Sequence, residues 1–494
     1  MSNKTTDFHR FARRVAFGGR LGAPIPGDPL AWAARQMERA PLIDLLSPDG
    51  ARPQDLPADL ALRWSMDEVM RAHAEQQQLV LDLRRRGRSM SPTELAAERR
   101  RLVSLPYHQL EHWKEVQARV TTALHGEAPV FERFWHFWTN HFTVAPGTQN
   151  NDTLVGPYQR HLREHMTGDF RTLLWHAATH PGMLVYLDNN RNTGPNSTAA
   201  LRRWTRDTIN ENLGRELLEL FTVSTAAGYS QQDVEATTLI LTGWRDMKPG
   251  PGQRPGIALG TYFDFDRHEP GTQTVMGKPY RAWLRPSSKL EDLIADLAAH
   301  PATARHLARK LCVYFIDDDP PAGAVDHVES TFVRTRGHLP AVHAAVLEMA
   351  WVHLGVTRKF LSPEAWLLQT WTLSGLSAPT ARPGPGQGRG LRTFQVLADL
   401  GQALPRCPQP DGWPIRSSDW VSREMLDRRV RFMALVSRDW LAATPKAAAT
   451  LSARIDEHLR PDSTSARILQ EALRYGDIGG AHTLFHISPE LLWS

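Results

Sequence analysis

Phe131-Glu132-Arg133-Phe134-Trp135-His136-Phe137-Trp138-Thr139-Asn140-His141-Phe142 is the stretch on which the fold turns. At about 100° per residue its aromatic side chains point in nearly every direction, so a helix here is apolar over most of its surface. Other elements must wrap such a helix, and its inward polar groups must find partners there. His136 and Asn140 lie one turn apart on one face, whereas His141 is rotated about 140° from His136, so the two imidazoles do not readily share a ligand. The ordinary role for either is a hydrogen-bonded core histidine.

Outward from this stretch, helical spacing dominates. Phe11, Val15, Trp32, Met37 and Leu42 recur every three to five residues, and 94–102, 290–315, 339–371 and 419–473 also read as helical. Two stretches rich in Pro and Gly, 248–260 and 379–390, break the pattern. The residues predict an all-α, multi-helical assembly, with a small β-hairpin or ordered loop at 261–280 around Tyr262, Phe263, Gly271, Val275 and Gly277. The expected organisation is an N-terminal helical lobe over 1–247, a connector over 248–290 and a C-terminal helical lobe over 291–494, with a flexible loop near 379–390.

The bulk properties agree. At 494 residues the chain exceeds the roughly 250–300 at which one core stops growing. Its 41% apolar and 22% charged residues suit a globular protein, and no run approaches the ~18–20 apolar residues of a bilayer span. The net charge of +5 is concentrated in Arg84–Arg86, Arg88 and Arg99–Arg101, which read as solvated helix faces rather than a nucleic-acid surface. Two cysteines, Cys312 and Cys407, are too few for a disulfide framework. Arg13-Arg14 precedes Gly18-Gly19 where an export signal needs an apolar run, so the chain as written reads as cytoplasmic.

Several clusters can carry chemistry. His161/His165 and His176/His180 have i, i+4 spacing, but Glu164 stands at the wrong offset for a His-Glu-x-x-His zinc motif and no third ligand is evident. Asp188, Asn190 and Asn192 match the first ligand positions of a calcium loop, although Thr193 and Ala199 replace its glycine and glutamate. Asp188 and Asn190 are therefore the candidate ligands for a divalent metal, against the usual role of such residues in turns.

In 208–221, Ile209, Leu213, Leu217, Leu220 and Phe221 form an apolar stripe opposite Glu211, Asn212, Arg215, Glu216 and Glu219. Asn210 points into the stripe, placed either to hold substrate or to satisfy free amides at the helix start. Glu211, Arg215 and Glu219, spaced by four, form either an ion-pair ladder or, if the helix lines a cleft, acid/base and anion-binding groups. Ser230 to Asp233 reads as a capping box, and the following helix ends at Gly243, leaving Trp244 to pack or face a pocket.

Taken in order, these pieces resemble the bacterial family called domain of unknown function 1800. The resemblance rests on Arg13 to Gly18, Phe137 to Phe142, His180 to Asp188, Asn210-Glu211-Asn212, Arg215-Glu216-Leu217 and Glu219-Leu220. It continues through Tyr229, Asp233-Val234, Thr242-Gly243-Trp244, His268, Gly277-Lys278, His300-Pro301-Ala302, Asp411-Gly412-Trp413 and Ser488-Pro489-Glu490. The chain departs from the family at Phe221, where a histidine is usual, and at Leu239, where an arginine is usual. The resemblance implies a protein often exported and often encoded beside an alkaline-phosphatase-like hydrolase.

Two functions follow as expectations. One is acid/base or metal-assisted hydrolysis of a carbohydrate or peptide, with Glu216 or Glu211 as base, Arg215 as anion clamp, His141 orienting or transferring a proton, and Asn140, Asn210 and Trp244 holding substrate. The other is a helical scaffold that docks the partner hydrolase.

Overall fold

The computed structural model describes residues 3–19, 24–38, 79, 81–103, 112–147, 154–202, 209–246, 260–282, 284–376 and 393–494. Leu42 and most of the two Pro/Gly-rich stretches, 248–259 and 379–390, lie outside the described residues. Of the described residues 65% are helical, with two small antiparallel two-stranded sheets among them, an all-α class. Among the described residues, no helix is long and apolar enough to cross a membrane. The arginines at 84–86 and 99–101 lie on exposed faces, and both cysteines are buried and free.

The helix Pro129–His141 sits at the centre, packed against the helices Pro29–Glu38, His112–His125 and Val155–His165. Eleven of its residues are buried, and each inward polar group needs a partner for the reason given by its sequence. Glu132 pairs with Arg163, whose guanidinium lies 4.8 Å from the centre of the Phe131 ring. Trp138 Nε1–H donates to His343 Nε2 at 3.0 Å. One apolar core joins residues from Phe11 to Leu354, a second gathers around Trp366 and Phe432, and a third lies among the helices after Trp440.

The twin arginines tether the first helix, Asn3–Val15, to the end of the chain. Arg14 donates from Nη2 to Ser494 O at 2.6 Å and Thr357 O at 2.7 Å, while Arg13 Nη1 lies 3.1 Å from His458 Nδ1. Both side chains are buried, so these donors close the fold on itself.

The expected hairpin is present. Strands β3 (Gln273–Val275) and β4 (Lys278–Tyr280) pair antiparallel across Met276-Gly277, both at positive φ, as a two-residue turn of the type favoured by strand twist requires. A second pair was not anticipated: β1 (Trp244–Asp246) pairs with β2 (Thr261–Phe263), Trp244 opposite Phe263. The preceding helix Gln231–Leu241 starts with the Ser230–Asp233 capping box as expected, and Gly243 at φ +88° turns the chain into β1. That helix crosses Asn212–Glu219 so closely that a Cβ on Gly214 would collide with Thr238 Oγ1.

Candidate functional site

Asn210 starts the Asn212–Glu219 helix by accepting the Asn212 N–H at 2.9 Å. Its own N–H donates to Asn192 Oδ1 at 2.7 Å, and its carbonyl accepts from Asn192 Nδ2 at 2.8 Å, so Asn192 acts as a peptide group would. Asn192 also donates to Asn189 Oδ1, and Asn189 donates to the carbonyls of Leu241 and Trp244. This amide ladder fastens the 188–192 loop to two helix ends through the Asn210 backbone, while the Asn210 side-chain oxygen holds the Asn212 N–H. Trp244 is 9% exposed and packs edge-on against Trp175 at 5.3 Å and Phe263 at 5.4 Å, its Nε1–H buried without a partner among the described residues.

On the polar face of Asn212–Glu219 the four-residue ladder is broken. Arg215 Nη2 pairs with Glu211 Oε2 at 2.9 Å and donates to Gln231 at 3.0 Å, a half-exposed surface pair worth little. Glu219 instead accepts the Tyr229 hydroxyl at 2.9 Å. Glu216, between them, is half-buried, and burial, Glu219 and Asp411 together push its carboxyl up to about 7, against the opposing pull of Arg215. Asp411 is exposed and comes from the 411–413 loop, nearly 200 residues further along the chain.

Beneath this helix end lie His141, His306 and Lys310. His141 Nε2–H donates to Phe221 O at 3.3 Å, which leaves Nδ1 as the acceptor for Lys310 Nζ at 3.1 Å. His306 Nε2–H donates to Leu220 O at 3.1 Å. Two imidazoles thus cap the carbonyls that follow the Asn212–Glu219 helix. Burial lowers the Lys310 ammonium to about 8, with Asp411 pulling the other way, and burial with Lys310 nearby holds His141 well below its ordinary value, a neutral imidazole. The structure therefore brings His141 and Glu216 to one neighbourhood through Lys310, which sequence reasoning did not single out, and Asp411, which entered only as part of the resemblance. The His306/Lys310 spacing of four was the available signal for half of it.

Asn140 faces the other side of the same loop. Its Nδ2–H donates to Trp413 O at 2.9 Å and its Oδ1 accepts Trp413 N–H at 2.7 Å, a reciprocal clamp. Gly412, at φ +87°, passes so close to Asn140 O that no side chain fits there. Asn140 and Trp413 border a cleft whose wall includes Arg119, Arg133, His136 and Glu364. Arg119 holds Glu364 in a bidentate buried pair at 2.6 and 3.0 Å and donates to Thr139 Oγ1 at 2.6 Å. His136 corrects the expectation of a hydrogen-bonded core histidine: neither ring nitrogen has a hydrogen bond among the described residues, and Nδ1 stands 3.4 Å from Glu364 Oε1. Arg133 Nε and Trp413 Nε1 are also buried without partners among the described residues. The cleft carries surplus N–H donors, chemistry suited to an oxygen-rich or anionic ligand.

The candidate metal ligands Asp188 and Asn190 stand in different surroundings. Asp188 adopts a left-handed backbone at φ 59°, and its side chain has no hydrogen-bond or ion-pair partner among the described residues. Asn190 Nδ2 donates to Asp246 Oδ1 at 3.0 Å, while Asn190 Oδ1 is buried without a partner among the described residues.

No curated protein and no solved structure matches the chain. A family model described as "Protein of unknown function (DUF1800)" matches residues 10–490, nearly the whole chain, and the protein belongs to that family.

Proposed function

We propose that the protein is a hydrolase that works by acid/base catalysis on a polar substrate of the carbohydrate or peptide class. The observation that carries this reading is one pair of carboxyl groups in two environments, Glu216 half-buried and pushed up to about 7, Asp411 exposed beside it. Carboxyls in unlike surroundings, one half-buried and one open to solvent, can share the work of acid and base. Glu216 gives its proton to the leaving oxygen or nitrogen as the bond to carbon breaks. Asp411 takes a proton from the attacking water, and exchange with solvent restores both groups. The Lys310 ammonium, held by His141, lies where it can offset developing negative charge. Arg215, fixed by Glu211, serves as a clamp for a substrate carboxylate, and Asn140 keeps the 411–413 loop in register with the donor-rich cleft.

The test is turnover of a panel of chromogenic glycosides, esters and peptide amides by the wild-type protein, Glu216→Gln and Asp411→Asn. Loss of a general acid or base is expected to lower kcat roughly 100-fold or more, with the alkaline limb of the wild-type pH profile near 7. Turnover that Glu216→Gln leaves intact refutes the assignment. An absence of turnover across the panel favours the scaffold that docks a partner hydrolase, in which the same polar network fixes helix packing.

A further inference from the structure

The two histidine pairs that showed no third ligand in the sequence meet in space. The helices Val155–His165 and Phe170–Thr179 pack against each other, and their facing sides bring His161, His165 and His176 together, with one possible ligand atom from each lying within 4.8 Å of the others. His161 Nε2 is 2.9 Å from His176 Nδ1, and the rings of His165 and His176 stack at 3.6 Å with only 7° between their planes. None of the three rings hydrogen-bonds to backbone among the described residues, so no helix-capping task explains their placement.

We propose that His161, His165 and His176 form a binding site for a zinc-type divalent transition-metal ion, separate from the Glu216 cluster. Three neutral imidazoles suit zinc and its first-row neighbours rather than calcium or magnesium, which take oxygen ligands. Zinc–nitrogen bonds of about 2.0–2.1 Å place tetrahedral ligand atoms roughly 3.4 Å apart. The present spread, with the His165 and His176 rings stacked, closes by turning these side chains so that their in-plane lone pairs converge. The ion takes the position of the hydrogen now shared between His161 and His176, and that proton moves to the outer nitrogen of His176.

Two surrounding groups support the same site. Glu164 Oε2 lies 3.8 Å from His161 Nδ1, the nitrogen not directed at His176, beyond hydrogen-bond length but within reach of the carboxylate–histidine–metal arrangement that fixes a ligand's tautomer. His180 is not a ligand, because its Nδ1 accepts the Gly182 N–H at 3.0 Å, and Nε2 must then carry the hydrogen. That Nε2–H is buried without a partner among the described residues, in a ring 5.3 Å from that of His161, and is available to a water or hydroxide bound at the fourth position. His165 and His176 are half-exposed, which leaves solvent a path to the ion.

The experiment uses the full chain, stripped with a chelator and titrated calorimetrically with zinc, with cobalt(II) as an optical probe of tetrahedral geometry. One ion per chain is expected. His165→Ala and His176→Ala should each weaken binding at least tenfold, and Glu164→Gln, a change at an exposed side chain that leaves folding intact, should weaken it about 10- to 100-fold. The surface variant His327→Ala should bind as wild type does. Failure of the wild-type chain to take up an ion overturns the proposal, as does unchanged affinity in His165→Ala and His176→Ala. Binding lost in Asp188→Ala but kept in His176→Ala also overturns it, by moving the ion to the 188–192 loop.

Discussion

Replacing Glu216 by glutamine should stabilise the protein, and only at neutral and alkaline pH. The carboxyl is raised from 4.5 to about 7 by burial first, then by Glu219 and Asp411. Between these two values the folded state holds a proton that the unfolded state has released, so stability falls as pH rises through the window and stays reduced above it. At about 1.36 kcal/mol per pK unit, a sealed group would cost roughly 3 kcal/mol. Solvent reaches this half-open carboxyl, which reduces the cost to about 1–2 kcal/mol. Urea unfolding followed by tryptophan fluorescence at about pH 5 and about pH 8 measures it, with Glu216→Gln gaining at the higher pH and little at the lower. A gain of equal size at both values, or a loss at pH 8, would refute the reasoning. The gain, set against the loss of turnover proposed above, would mark a residue kept for function at the expense of stability.

Burial holds His9, His165, His176, His268 and His306 down at about 4 and His343 and His482 at about 3. The unfolded chain binds these protons first as pH falls from about 6.5 to 4, so the denaturation midpoint should drop steeply across that window, and a flat profile there would contradict the neutral-imidazole assignment. Glu364→Ala leaves Arg119 buried and unpaired beside His136 and should cost about 3–5 kcal/mol in urea unfolding, most of it recovered in the double variant Arg119→Met/Glu364→Leu. Gly214→Ala drives a methyl into Thr238 Oγ1 and to 3.1 Å from Thr238 N, an overpacking cost of about 1–3 kcal/mol that outweighs the ~1 kcal/mol gain in helix propensity. Adding Thr238→Ala should relieve it; no relief would place the strain elsewhere.

How far the sequence could be read follows from the range of each signal. Helical periodicity, the Ser230–Asp233 capping box and the Met276-Gly277 turn are local patterns, and each appears where its residues predict. Strand β1 did not show, because three residues carry no period and its partner lies beyond 247–259. Asn210 was legible as a helix-start group but not as a partner of Asn192, since an amide that imitates a peptide bond leaves no spacing to detect. Lys310 stands 169 residues from His141, and only the packing of the Pro301–Phe315 helix against the central one brings them together. His176 escaped for the same reason: each i, i+4 pair was visible, but the ligand set is assembled between helices.

Histidine placement ties these results into one physical argument. A neutral imidazole has one donor and one acceptor, so it can satisfy either kind of free group at a helix end. His180 and His300 use Nδ1 to accept amides that follow His-Pro starts, at 3.0 and 3.1 Å. His141 and His306 use Nε2–H at the opposite end of a helix, on the carbonyls of Phe221 and Leu220. Accepting an amide needs the lone pair on Nδ1, whereas donating Nε2–H to a carbonyl is open to either ring form, and burial keeps His141, His180 and His306 uncharged. The same rule isolates His161, His165 and His176: three rings kept in mutual contact, with no backbone group to serve, retain lone pairs that only a hydrogen or a metal ion can use.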